Sequence, residues 1–116
     1  HTAATPETHH LVNAQRLASM QDGAILINTA RGAIVDESAL ISELSSGRLR
    51  AGLDVFAEEP LPQDSPLAHL KNVVLTPHLG SATATTRRAL VERALENLFT
   101  GMAGHPPPWG LEMSVQ

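Results

Sequence analysis

Three short apolar runs, Ala24-Ile25-Leu26-Ile27-Asn28, Leu53-Asp54-Val55-Phe56 and Val73-Val74-Leu75-Thr76, alternate with amphipathic stretches along this chain. That order belongs to βα repeats, in which helices cover a parallel sheet. The first run has no polar alternation before Asn28, which predicts a central strand buried on both faces. Pro77 ends the third run, because proline removes a ladder donor. With aromatic residues at only 3%, the core between the layers falls to Leu, Val, Ile and Ala.

The punctuation between the runs agrees with this reading. Thr5-Pro6-Glu7-Thr8 places a hydroxyl before a proline at a first helical position, so a brief helical turn starts there. Asn13 caps a second turn, with Leu17 and Met20 as its buried pair and Gly23 as its stop. Asp36 caps a helix whose Leu40 and Leu44 share one face, and Gly47 ends it. The two prolines of Glu58-Glu59-Pro60-Leu61-Pro62 predict a long surface loop. From about Thr83 to Met102 a longer helix sets Leu90, Ala94, Leu98 and Met102 on one side and Arg87, Arg88, Glu92, Arg93 and Glu96 on the wet side. Beyond Gly104, Pro106-Pro107-Pro108 is a stiff extended segment. The expected architecture is α/β, three parallel strands with three covering helices and two open edges, incomplete as a domain. Residues 1–104 make up that part, and residues 105–116 form a tail that needs a docking surface elsewhere.

Composition excludes several functions. Formal net charge is −4, from 8 basic and 12 acidic residues, with no basic run, so nucleic acid is not an expected partner. Absence of cysteine removes disulfides, thiolate metal sites and cysteine nucleophiles together, and fits a cytoplasmic protein. No apolar run approaches the ~18 residues that span a bilayer, so no membrane partner is expected. The polar start His1-Thr2-Ala3-Ala4 is no signal peptide and reads as a chain entered partway through a larger protein, or one trimmed to that point. His9 and His10, being adjacent, are expected to point to different sides. His1, His69 and His105 lack ligand spacing, so no metal site is expected. Ser81, near His78, lacks the G-x-S-x-G context of a hydrolase nucleophile.

In open α/β sheets ligands bind beyond the carboxyl ends of the strands. The three runs are followed there by Thr29-Ala30-Arg31-Gly32, Ala57-Glu58-Glu59-Pro60 and Pro77-His78-Leu79-Gly80. Together they offer a guanidinium, a carboxylate and an imidazole. Reduction of a 2-keto acid needs a planar cation to grip the carboxylate, a proton donor for the carbonyl oxygen, and an anion to hold that donor charged. Arg31, His78 and Glu59 answer to those roles in turn. Arg31 makes paired hydrogen bonds that a lysine cannot reproduce, and a carboxylate within reach of His78 favours the imidazolium. Singly, each residue has a plainer explanation: a surface ion pair, a solvated loop carboxylate, a histidine satisfying a carbonyl. Their convergence at equivalent strand ends favours the chemical one.

The stretches Ile27-Asn28-Thr29-Ala30-Arg31-Gly32-Ala33-Ile34-Val35-Asp36, Gly52-Leu53-Asp54-Val55-Phe56 with Glu59-Pro60-Leu61-Pro62, and Leu75-Thr76-Pro77-His78-Leu79-Gly80-Ser81-Ala82-Thr83 closely resemble the D-isomer-specific 2-hydroxyacid dehydrogenase family. The resemblance runs from about Thr5 to Gly104, and three linked motifs are far more specific than one glycine loop. It implies that the chain is the C-terminal half of a Rossmann-like, doubly wound NAD(P)-binding domain. It also implies Arg31 as the substrate-binding arginine, Glu59 as the glutamate orienting the histidine, and His78 as the general acid/base. Glu59 is preferred to Glu58 because it directly precedes the proline. By the same resemblance Asp54 holds the nicotinamide carboxamide, and Thr29, Ala30 and Gly80 line the cofactor together with Arg31 and His78. A strand-end carboxylate capping nearby amides is the other reading of Asp54. Thr5-Pro6 resembles the segment passing the adenosine side.

The glycine and proline loops are most similar to the branch reducing glyoxylate, hydroxypyruvate or 2-ketogluconate. Formate dehydrogenases of the superfamily carry glutamine where this chain has Glu59. The resemblance implies an oxidoreductase using NAD or NADP on a small 2-keto acid, homodimeric at full length. The alternative is a cofactor-sensing or corepressor-type member acting through protein partners. The chain departs from the family in having no G-x-G-x-x-G phosphate loop and no substrate-binding domain, so the isolated chain is expected to be inactive.

Overall fold

A computed structural model describes residues 2–110. The chain divides into two compact units, His1–Gly80 and Ser81–Gln116. In the first, strands β1 (Ile25–Asn28), β2 (Arg50–Leu53) and β3 (Val73–Leu75) form a parallel sheet in the order β1-β2-β3. Leu26 faces Ala51, and Leu53 faces both Asn28 and Leu75 across the ladders. Side chains alternate between faces along a strand, so Leu26, Ala51, Leu53, Val73 and Leu75 line one side. Against them helices α1 (Ala14–Ala18) and α2 (Glu37–Ser45) bring Leu17, Leu40 and Leu44, all almost fully buried.

The opposite side is bare. Ile25, Ile27 and Val74 are 60%, 71% and 69% exposed. The expectation that the first run is a central strand buried on both faces is therefore corrected: β1 ends the described sheet, and within this unit helices lie on one face alone. The second strand also needs correcting. It spans Arg50–Leu53, earlier than the apolar run, because Gly52 interrupts the pattern that marks a strand in sequence. Asp54, Val55 and Phe56 stay buried but lie in the loop beyond it.

The helix ends are built by the expected residues. Asn13 Oδ1 accepts from Arg16 N at 3.1 Å, Asp36 Oδ1 accepts from Ala39 N at 3.0 Å, and Gly23 and Gly47 take φ of 80° and 77°. A one-turn helix covers Pro6–Thr8. Leu17 is buried as predicted, while Met20 is only half-buried. Not anticipated was Arg48, whose guanidinium donates to Leu17 O and Met20 O at 2.6 Å each and pairs with Glu43 at 2.7 Å, closing the C-terminal end of α1. Inside the predicted surface loop a short helix, Pro66–His69, carries Leu67 into the core. His9 and His10 do not diverge as expected: their rings stack with centroids 3.9 Å apart, since His10 adopts a φ of 51° that turns its side chain back.

The second unit is α3 (Ala84–Met102), capped by Thr83 Oγ1, which accepts from Thr86 N at 3.1 Å, and closed at Gly104. No residue of α3 is buried, so Leu90, Ala94, Leu98 and Met102 form an exposed stripe. In the tail, Trp109 folds against α3: Nε1 donates to Glu96 at 2.7 Å, and the Arg93 guanidinium lies 4.4 Å from the ring centroid. Residues 111–116 of the tail lie outside the described residues. Among the described residues no helix is long and apolar enough to cross a membrane, and no group of His, Asp and Glu is placed to hold a metal ion.

Candidate active site

Three loops leave the carboxyl ends of the strands, and each is braced by a polar side chain. After β1, buried Asn28 holds the turn: its Nδ2 donates to Arg31 O at 2.9 Å and its Oδ1 accepts from Ala30 N at 3.1 Å. Gly32 then passes so close to the second loop that a Cβ there would sit 1.7 Å from Phe56 O, so any side chain would push the Arg31 loop away. The second loop is held by Glu37 Oε2, which accepts from Ala57 N at 2.9 Å.

Glu59 works in both directions. Its Oε1 accepts from Phe56 N at 3.1 Å, and its Oε2 lies 2.7 Å from His78 Nδ1. The hydrogen bond to His78 and then the Phe56 amide keep the Glu59 carboxyl below its ordinary value against the opposing effect of burial, with lesser help from the charges of His78 and Arg31. With Nδ1 committed to Glu59, Nε2 is the ring nitrogen without a partner among the described residues. His78 sits at a φ of 54°, uncommon for a residue with a side chain.

The third loop closes on Asp54, which is 5% exposed. Oδ1 accepts from the Thr76 hydroxyl and from Leu79 N at 2.7 Å, and Oδ2 accepts from Gly80 N at 2.9 Å. These bonds, that from Thr76 foremost, hold the Asp54 carboxyl below its ordinary value.

Glu59 and His78 line a cavity of about 570 Å³ whose walls are Phe56, Pro60, Leu61, Leu75, Thr76 and Pro77. A carboxylate–imidazole pair beside an apolar hollow can deliver a proton to a bound polar atom. Arg31 is not among the residues that line this cavity. It lines a neighbouring concavity of about 450 Å³ with Thr29, Ala30 and Thr2–Ala4, and its guanidinium donates to Ala30 O at 2.6 Å. Asn28, Glu37 and Thr76 brace the loops without having been singled out. Asn28 was findable as the polar end of an apolar run. Glu37 had no signal, since its partner amide lies twenty residues on.

Residues 1–80 match the family model described as D-isomer specific 2-hydroxyacid dehydrogenase, NAD binding domain. The chain is 54% identical over 101 residues to glyoxylate/hydroxypyruvate reductase B of Pectobacterium carotovorum, covering 86% of this chain and 32% of that protein. A crystal structure of a Thermus thermophilus protein superposes with a TM-score of 0.88 at 55% identity, over 93% of this chain and 35% of that one. The D-isomer specific 2-hydroxyacid dehydrogenase of Xanthobacter autotrophicus Py2, solved with NADPH and MES, gives a TM-score of 0.73 at 46% identity, over 94% of this chain and 45% of that one. The chain thus spans about a third of the length of the curated relatives it matches. Its parallel sheet, the loops at its carboxyl edge and the match over residues 1–80 make this chain a member of the D-isomer specific 2-hydroxyacid dehydrogenase family, by way of that family's NAD binding domain.

Proposed function

We propose that this chain supplies the acid/base side of an NAD(P)-dependent D-2-hydroxyacid dehydrogenase that reduces a small 2-keto acid such as glyoxylate or hydroxypyruvate. The observation that carries the reading is the 2.7 Å pair of Glu59 and His78, facing an apolar cavity with Nε2 free among the described residues. The small side chains of Thr29 and Ala30 beside Arg31 leave room for a nicotinamide ring. No glycine-rich loop accompanies them to hold a pyrophosphate. Thr29, Ala30, Asp54 and Gly80 are the residues that would line the nicotinamide end. When bound, the cofactor supplies the hydride that reaches C2 of the keto acid.

The remaining work belongs to this chain. His78 gives the proton on Nε2 to the carbonyl oxygen as C2 is reduced, and takes it back in the reverse direction. Glu59 at Nδ1 fixes the ring and leaves Nε2 to the substrate. Arg31, released from Ala30 O, grips the substrate carboxylate with two parallel hydrogen bonds. In this reading the protein works in the cytoplasm as a homodimer with NAD or NADP, and the tail after Gly104 docks on the substrate domain. Its partners are small acids rather than nucleic acid or membrane.

The test joins this chain to the two-thirds of the relatives' length that it does not span and follows NADH or NADPH oxidation with glyoxylate and hydroxypyruvate. His78→Ala is expected to lower kcat by roughly 10²–10⁴-fold. Arg31→Lys is expected to raise KM for the keto acid about tenfold or more, as loss of a charge-assisted bond implies. A His78→Ala protein as active as its parent would end the reading.

A further inference from the structure

His78 is held at two places by two carboxylates. Glu59 takes its ring, whereas its backbone lies in a left-handed conformation, φ 54°, that is uncommon for a side-chain-bearing residue. The support visible here is Asp54. Three donors converge on this one buried carboxylate, the Thr76 hydroxyl, Leu79 N and Gly80 N, from the residues that bracket His78 on both sides. Within the bracket, His78 N donates to Thr76 O at 3.0 Å, a tight turn around Pro77.

A carboxylate that already accepts from a hydroxyl and two amides has used much of its acceptor capacity inside the protein. It therefore fixes the loop, and keeps acceptor capacity for the nicotinamide end that it would line. We propose that Asp54 is a positioning residue that clamps the turn Thr76–Gly80 and thereby sets the imidazole of His78 against Glu59. This rests on the reductase reading above and deepens it, since Asp54 then acts on turnover through His78. Thr76 shares the role as the clamp's side-chain donor.

The experiment uses the joined protein with Asp54→Asn, Thr76→Val and Thr76→Ser, and reads steady-state kinetics, the pH profile of kcat and the downfield NMR signal of the proton between His78 Nδ1 and Glu59. Asp54→Asn keeps the shape but turns an amide group toward a backbone donor. It is expected to lower kcat on the order of tenfold to a hundredfold, move the pH profile, and erase or shift the downfield signal. Thr76→Val is expected to act in the same direction more weakly, with Thr76→Ser recovering most of the loss. If Asp54→Asn does not fold, the Thr76 pair decides alone. A rise in cofactor KM with kcat, pH profile and downfield signal intact would overturn the clamp in favour of a ligand role. Thr76→Val behaving as the parent in all three readouts would overturn it too. The NMR signal needs no turnover, so a clamp that fails is distinguishable from a reductase reading that fails, which His78→Ala reports.

Discussion

Glu59 carries two duties whose loss is separable by pH. Because its folded carboxyl titrates below the ordinary 4.5, the charged form is favoured in the fold. Its stabilisation is therefore fully present above 4.5, erodes as the pH falls below that value, and is gone once the pH passes the lowered folded value. Thermal unfolding of Glu59→Gln and parent should differ at neutral pH and converge in acid; a gap that widens in acid would contradict the assignment. In the joined protein the same substitution should lower kcat, because the imidazole loses the carboxylate that holds its ring at Nδ1. A Glu59→Gln kcat identical to the parent's would transfer the role to Glu58 or to no residue.

At the scale of elements, the site is stable only as far as the single covered face of the sheet holds. Leu44 on α2 is 1% exposed and packs in the cluster with Leu17, Leu40 and Leu53. Leu44→Ala should cost about 2–5 kcal/mol, the range for truncating a buried leucine, read as a lowered denaturation midpoint with an unchanged slope. A cost below about 1 kcal/mol would mean the α2 face is not closed in solution. The caps of these helices were legible from Asn13, Asp36 and Thr83, because a cap is a local arrangement between one side chain and an amide two or three residues on. Arg48 was not legible: it reaches carbonyls 28 and 31 residues away, and no local pattern encodes that.

Taking the chain as a whole, Ile25, Ile27 and Val74 of one sheet face are exposed, and no G-x-G-x-x-G loop occurs in the sequence. A nicotinamide dinucleotide gains much of its affinity at a pyrophosphate cradle on a helix N-terminus. The 116 residues alone are therefore expected to show no measurable turnover of glyoxylate with NADH or NADPH in a cofactor-oxidation assay, and an appreciable rate would contradict this.

Periodicity and punctuation determined the α/β class, the order of elements and the strand-end placement of Arg31, Glu59 and His78, because these depend on neighbours a few residues apart. What waited for the tertiary structure was everything set by contacts across the sheet. Pairing register placed β2 over Arg50–Leu53 despite Gly52. Exposure of alternate residues showed that an apolar run need not be covered on both sides. The three donors on Asp54, the left-handed His78 and the separation of Arg31 from the imidazole's cavity arise where loops distant in sequence meet, and hydrogen bonds of that span leave no periodic trace.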